Sequence, residues 1–133
     1  MTKLEATIRQ FNEALDNFEE ILNKLEQLVS LEYEILRDSA IKRFELVFDT
    51  SWKVIKAWLE EKGSSCVSPL DCYREAYRKG IVEYQDVWVK IIKTRNKTAH
   101  VYYEKLAEEV YQELPNFITA FNNLKEYLNK NKP

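Results

Sequence analysis

Glycine and proline are scarce in this chain, with two glycines and three prolines among 133 residues. So few turn formers, combined with abundant Glu, Lys and Leu, predict an all-α fold of long helices. Cysteine is limited to Cys66 and Cys72, with no second pair and no histidine nearby. That pattern fits neither a zinc site nor a disulfide framework, so the expectation is two free thiols in a reducing cytoplasm. No apolar run approaches the ~20 residues that span a bilayer. The start, MTKLEATIRQFNEAL, is charged from its third residue and has no apolar stretch of the secretory kind. A soluble, cytoplasmic protein with no membrane partner is expected. Glycine-rich phosphate loops are missing, as is any Ser-His-Asp or Cys-His order, which leaves nucleotide kinase and acyl-transfer chemistry unsupported. With one histidine and carboxylates spaced for helix faces, neither a metal site nor a cofactor is expected. A net charge of −2 argues against a general nucleic-acid coat protein, and no DNA partner is expected.

What the chain does contain is helical periodicity over the length of one domain. Thr2 and Glu5 read as a capping box, and Leu4, Ile8, Phe11, Leu15, Phe18, Leu22, Leu25 and Val29 repeat behind it at steps of four and three. This heptad predicts a first helix of about 28 residues, presenting one seam to its neighbours. A second helix should run from about Leu31 to Lys62 and stop at Gly63, with Leu36, Ala40, Phe44, Val47, Phe48, Ile55, Trp58 and Leu59 inward. After a loop over residues 63–68, Ser68, Pro69 and Asp71 start a short helix that Gly80 closes, with Tyr73, Ala76 and Tyr77 as its inner face. Val87, Trp88, Ile91 and Ile92 mark a fourth helix. A last apolar pattern from Leu106 to Leu128 is interrupted at Pro115, where the helix should kink or restart. The whole predicts a four- to five-helix up-and-down bundle in a single domain over residues 1–133.

Charge is unevenly spread. Residues 1–62 hold nine Lys/Arg against thirteen Asp/Glu, whereas residues 74–105 hold eight against four. On the second helix Asp38, Glu45 and Asp49 fall within about 40° of one another, close to Trp52. Such a row can orient an arginine at a site or across a dimer contact. It can also be an ordinary wet face with the pairs Asp38/Lys42 and Asp49/Lys53.

The basic half contains Arg95-Asn96-Lys97-Thr98-Ala99-His100-Val101-Tyr102. His100 is the single histidine, the residue type best suited to take and give protons near neutral pH. Arg95 supplies a planar cation matched to phosphate, and Lys90, Lys93 and Lys97 add to the positive field. On a straight helix, positions five apart point about 140° away from each other. Convergence of Arg95 with His100 therefore needs a break, and Asn96 and Thr98 are the residues to provide it. In the plainer alternative, Arg95 ends a helix against its dipole and His100 sits in a loop. Metal-free cleavage of an RNA phosphodiester needs one group to deprotonate the 2′-hydroxyl, another to protonate the leaving oxygen, and a cation on the phosphate. One chain has one imidazole, so this chemistry requires two chains meeting near His100.

The motif resembles the hallmark of the HEPN superfamily, an arginine and a polar residue followed by three variable residues and a histidine. Tyr102 extends the likeness to the Arg-x4-His-x-Tyr form of its nucleotidyltransferase substrate-binding members, which include the HepT toxins. Arg37-Asp38, Arg43-Phe44-Glu45 and Trp52 resemble the group's long helix, and Ser68-Pro69, Arg74-Glu75-Ala76, Gly80 and Trp88 its middle. Asp49 departs from the pattern, standing where the longer glutamate is expected. The resemblance implies a five-helix homodimer working with a minimal nucleotidyltransferase. It implies His100 in the acid/base role, Arg95 on phosphate, and silencing by AMP transfer to Tyr102; from the local charge, Asn96, Lys93 and Lys97 are the expected phosphate or nucleotide contacts beside them. A noncatalytic subunit presenting a nucleotide or substrate to that partner is the competing class, and a purely structural dimer is a third.

Overall fold

Two reciprocal hydrogen bonds start the first helix: Glu5 N–H donates to Thr2 Oγ1 at 3.0 Å, and Thr2 N–H donates to the Glu5 carboxylate at 3.4 Å. This capping box satisfies two donors that helix geometry leaves open. In the computed structural model, which describes residues 2–25, 31–83 and 85–132, helix α1 runs from Lys3 to Leu25. Its heptad residues Leu4, Ile8, Phe11, Leu15 and Phe18 are buried. Val29, placed in the same repeat from sequence, lies outside the described residues.

Helix α2 spans Leu31–Glu61 and packs along α1. It ends where Gly63 adopts φ +80, the left-handed conformation that glycine takes without steric cost, as Ser64 N–H turns back to the Leu59 carbonyl at 2.7 Å. Helix α3, Pro69–Arg78, is capped by Ser68, whose Oγ accepts from Asp71 N–H at 3.3 Å. Its inner face is Cys72, Tyr73 and Ala76; Tyr77, expected there, is exposed because it lies beyond the edge of that stripe. Helix α4 covers Gln85–Lys97, followed by a 3-10 turn, Thr98–His100. Helix α5, Glu104–Glu113, and helix α6, Ile118–Lys130, are two parts of one segment that Pro115 interrupts with a 3-10 turn over Leu114–Phe117. Counted that way, the described residues form the expected all-α, five-helix bundle.

The core is aromatic. Phe121 meets Phe11, Phe18 and Trp88 edge to face, Trp88 stacks on Tyr73 with ring centroids 4.4 Å apart, and Phe44 stacks on Phe117 at 5.8 Å. Each such ring, fully withdrawn from water, contributes roughly 1.5–3 kcal/mol, and this network joins all five segments. Tyr73 keeps its hydroxyl satisfied inside: it donates to Ser51 Oγ, which donates to the Phe48 carbonyl. Burial pushes the Tyr73 phenol up, so it stays neutral.

The expectation of two free thiols is corrected: Cys66 and Cys72 form a disulfide, with Cα atoms 5.0 Å apart. The reason is local. Val67 N–H donates to the Asp71 carboxylate at 2.8 Å, folding the loop back onto the first turn of α3 and bringing Cys66 over Cys72. No helix among the described residues is long and apolar enough to cross a membrane.

Candidate functional site

Trp88 and Ile91 anchor α4 in the core and thereby aim its last turn. From there the Arg95 side chain crosses to α2 and stays partly buried, 27% exposed. Its Nη1 lies 3.0 Å from Glu45 Oε2, and its Nε faces Asp49 Oδ1 at 3.9 Å. The guanidinium also sits 5.8 Å over the Phe48 ring. Two of the three acidic residues placed in a row from sequence thus hold the motif arginine. Asp38 does not join them; it pairs with its neighbour Arg37 at 3.1 Å.

Helix α4 continues through Asn96 and changes at Thr98, and the side chain of Thr98 explains the change. Its Oγ1 donates to the Arg95 carbonyl at 2.6 Å, lies 3.2 Å from Glu45 Oε2 and accepts from Arg95 Nη1 at 2.8 Å. A hydroxyl bonded back one turn competes for a backbone acceptor and favours a bend, here a tighter 3-10 turn. Thr98 is buried, so this small network fixes the direction in which the following residues leave the helix. They leave toward solvent. His100 is exposed, with Tyr102 Oη 3.5 Å from its Nδ1 and the two rings 6.1 Å apart.

The break is present, but it does not bring Arg95 and His100 together within one chain. Among the described residues, no hydrogen bond or ring contact joins them. Lys93 and Lys97 are not at Arg95 either. They share the opposite face of α4 with Lys90 and Thr94, near Glu113, whose carboxylate Lys90 pairs at 3.0 Å. That hydrogen bond holds the Glu113 carboxyl below its ordinary value. Asn96 is exposed, and its side chain makes no hydrogen bond with a described residue. The recess beside Arg95 is lined instead by Lys42, Arg43, Glu45, Leu46 and Asp49. Among the described residues, no group of three or more His, Cys, Asp or Glu side chains is placed to hold a metal ion.

Sequence reasoning missed a second ionic cluster, centred on Arg37. This arginine is 3% exposed and reaches both Glu104 carboxylate oxygens, at 3.0 and 3.1 Å, with Glu108 at 3.5 Å. Tyr33 donates to Glu108 at 2.9 Å. The hydrogen bond from Arg37 holds the Glu104 carboxyl below its ordinary value. Burial pushes Glu108 up, but bonds from Gln112, Tyr33 and Arg37 outweigh it and leave that carboxyl low as well. Burial and the Glu108 bond raise the Tyr33 phenol. The signal was present: Arg37, Ile41, Phe44 and Phe48 follow helical spacing, so a cation stands on an apolar stripe, where only a paired charge is tolerated. The cluster clamps the first turn of α5 to α2 and so fixes the end of the turn that carries His100 and Tyr102.

A helical bundle with an arginine bound inward at the end of one helix and a histidine on the turn beyond it defines a recognisable class of small α-domains. A family model described as nucleotidyltransferase substrate binding protein like matches residues 6–130. A probable ribonuclease HepT of Haemophilus influenzae is 30% identical over 104 residues, covering 74% of this chain and 71% of that protein. A solved structure from Haemophilus influenzae, described as the fold of a substrate binding domain of a nucleotidyltransferase, matches with a TM-score of 0.72 at 26% identity, covering 95% of this chain and 96% of its own. A solved structure from Thermus thermophilus matches with a TM-score of 0.68 at 30% identity over 84% of this chain and 98% of its own. The chain belongs to the nucleotidyltransferase substrate-binding family, with HepT-like relatives.

Proposed function

We propose that this protein is a metal-independent endoribonuclease of the HepT-like type, active as a homodimer and controlled by a minimal nucleotidyltransferase partner. The observation that carries the reading is the division of labour at the motif. Arg95 is fixed by Glu45 and Thr98 through Nη1, while no described residue bonds its Nη2 edge, which remains for a phosphate. His100 stands exposed one turn further on. Within one chain the two do not converge, and a two-fold axis beside the turn brings two imidazoles and two guanidiniums to one cleft. There one imidazole takes the 2′-hydroxyl proton, the oxygen attacks the adjacent phosphorus, and the second imidazole protonates the leaving 5′-oxygen. Lys93 and Lys97 contribute to the field along the strand, and the exposed Asn96 amide offers the strand a hydrogen-bond donor; none of the three takes the reacting phosphate.

Tyr102 is the control point. Its hydroxyl attacks the α-phosphorus of ATP on the partner enzyme, pyrophosphate leaves, and the phenolic proton passes to a base of that enzyme. The AMP so attached puts negative charge and bulk beside His100, against an incoming RNA. Incubating the protein with single-stranded RNA in excess EDTA tests the reading. Cleavage that disappears in His100→Ala supports it; intact RNA with the wild-type dimer overturns it.

One observation favours a second reading, a noncatalytic subunit that presents a nucleotide to the partner: Glu45 and Asp49 face Arg95 and offset its charge at the proposed cleft. Nucleotide binding without RNA turnover would select it.

A further inference from the structure

The residue after the motif tyrosine, Tyr103, has no role in the chemistry above, and its placement is unusual. It is the N-cap of α5, a position where Ser, Thr, Asp or Asn normally closes the helix with a side-chain bond, and here no side-chain cap exists. Its backbone is nevertheless secured on both sides. Tyr103 N–H donates to the His100 carbonyl at 3.2 Å, its carbonyl accepts from Ala107 N–H at 2.9 Å, and the next residue, Glu104, is gripped by buried Arg37. The ring points outward, 61% exposed, 4.5 Å from the Tyr102 ring, which is 72% exposed. A helix cap has been exchanged for a fixed, bare aromatic pair beside the sole imidazole. Departures from local propensity of this kind concentrate at binding sites.

We infer that the Tyr102–Tyr103 ring pair is a stacking platform for a nucleobase of single-stranded RNA, with Tyr103 as the residue that carries the base next to the cleaved phosphate. The inference rests on the ribonuclease reading and adds to it a subsite and a preference for unpaired strands. Stacking on aromatic faces is how unpaired bases are usually held, and it tolerates any base because all have π-faces. The surroundings fit a polyanion better than a protein. Lys97, Lys105 and His100 flank the rings in sequence and are exposed, while the nearby carboxylate of Glu104 is occupied by Arg37. The cores of protein–protein interfaces are depleted of lysine, so the exposed Lys105, two residues after Tyr103 in the chain, suits a wet, charged binding edge. A rigid backbone under exposed rings lowers the ordering cost when a base lands on them.

Binding of a fluorescent 2′-O-methyl oligoribonucleotide, which lacks the attacking hydroxyl, tests the platform by anisotropy. Tyr103→Leu keeps apolar bulk and removes the π-face, and its Kd should rise about tenfold; Tyr103→Phe should stay within about twofold of wild type, since the ring is kept. An oligonucleotide with abasic sites should bind wild type and Tyr103→Leu equally. The inference is overturned if Tyr103→Leu binds as tightly as wild type or Tyr103→Phe binds as weakly as Tyr103→Leu. It also falls if sedimentation shows that Tyr103→Leu dissociates the dimer, since the rings are then covered by a second copy. Cleavage is scored separately on ordinary RNA. Tyr103-dependent binding without cleavage sinks the ribonuclease reading and keeps the platform, whereas cleavage insensitive to Tyr103→Leu does the reverse.

Discussion

Glu45 on α2 meets Arg95 on α4 at 3.0 Å, while Asp49, one turn further along α2, stops 3.9 Å short of the same guanidinium. The consequence is a buried Arg95 Nε with no hydrogen-bond partner. A carboxylate one methylene longer reaches it. Asp49→Glu should therefore stabilise the protein by about 0.5–1.5 kcal/mol, the usual net gain of one hydrogen bond. Urea unfolding measures this; an unchanged or lower midpoint would show that Nε is satisfied by water.

Thr98 links the arginine to the turn through three short contacts of one oxygen. Thr98→Val keeps the shape and removes them, freeing the Arg95 carbonyl to continue the helix and redirecting His100. Loss of cleavage should appear as a drop of roughly tenfold or more in kcat with little change in KM, and Thr98→Ser should restore most of it. The lone histidine supplies an independent check, because its ring resonances in a proton NMR spectrum should move in Thr98→Val and return in Thr98→Ser. Equal spectra for all three proteins would refute the positioning role.

The cluster around Arg37 carries a pH dependence whose sign can be worked out. Glu104 and Glu108 have folded-state carboxyls held below the ordinary value of 4.5. Their contribution is therefore fully present above that value and is lost as pH falls through the lower, folded one. Arg37→Met should lower Tm by about 5 °C at neutral pH, and the gap to wild type should narrow steadily as pH falls below 4.5. A gap that stays constant over that window would mean that Arg37 stabilises by packing alone.

The Cys66–Cys72 bond closes a short loop, and short loops remove modest unfolded-state entropy, about 2 kcal/mol. Reduction should lower Tm by roughly 6–10 °C. Intact mass after alkylation decides the state directly: protein purified without reductant should take up two labels only after reduction and unfolding. Two labels without reduction would establish free thiols.

The bundle was legible in the chain because its signals are local and redundant. Leu4 to Phe18 repeat on one helical face, Ser68 and Pro69 start a helix, Gly63 and Gly80 stop two, and Pro115 divides the last segment. The Arg-x4-His-x-Tyr string marked the candidate site for the same reason. Less legible were the partners. The three acidic residues on α2 share a face, yet only Glu45 bonds Arg95 and only Asp49 faces it from one turn on, because α4 crosses α2 at that level while α5 brings Glu104 and Glu108 to Arg37 beside Asp38. Lys93 and Lys97 lie next to Arg95 in sequence and opposite it in space, since two residues along a helix rotate the side chain through about 200°.

The order of apolar and polar residues, repeated every three or four positions, was by itself enough to determine a helical bundle and where most of its helices begin and end. Tertiary structure alone decided which charges meet. Hydrophobic periodicity acts along one helix and is written in that helix, whereas the ion pairs between α2 and α4 and between α2 and α5 depend on how separate elements are brought side by side.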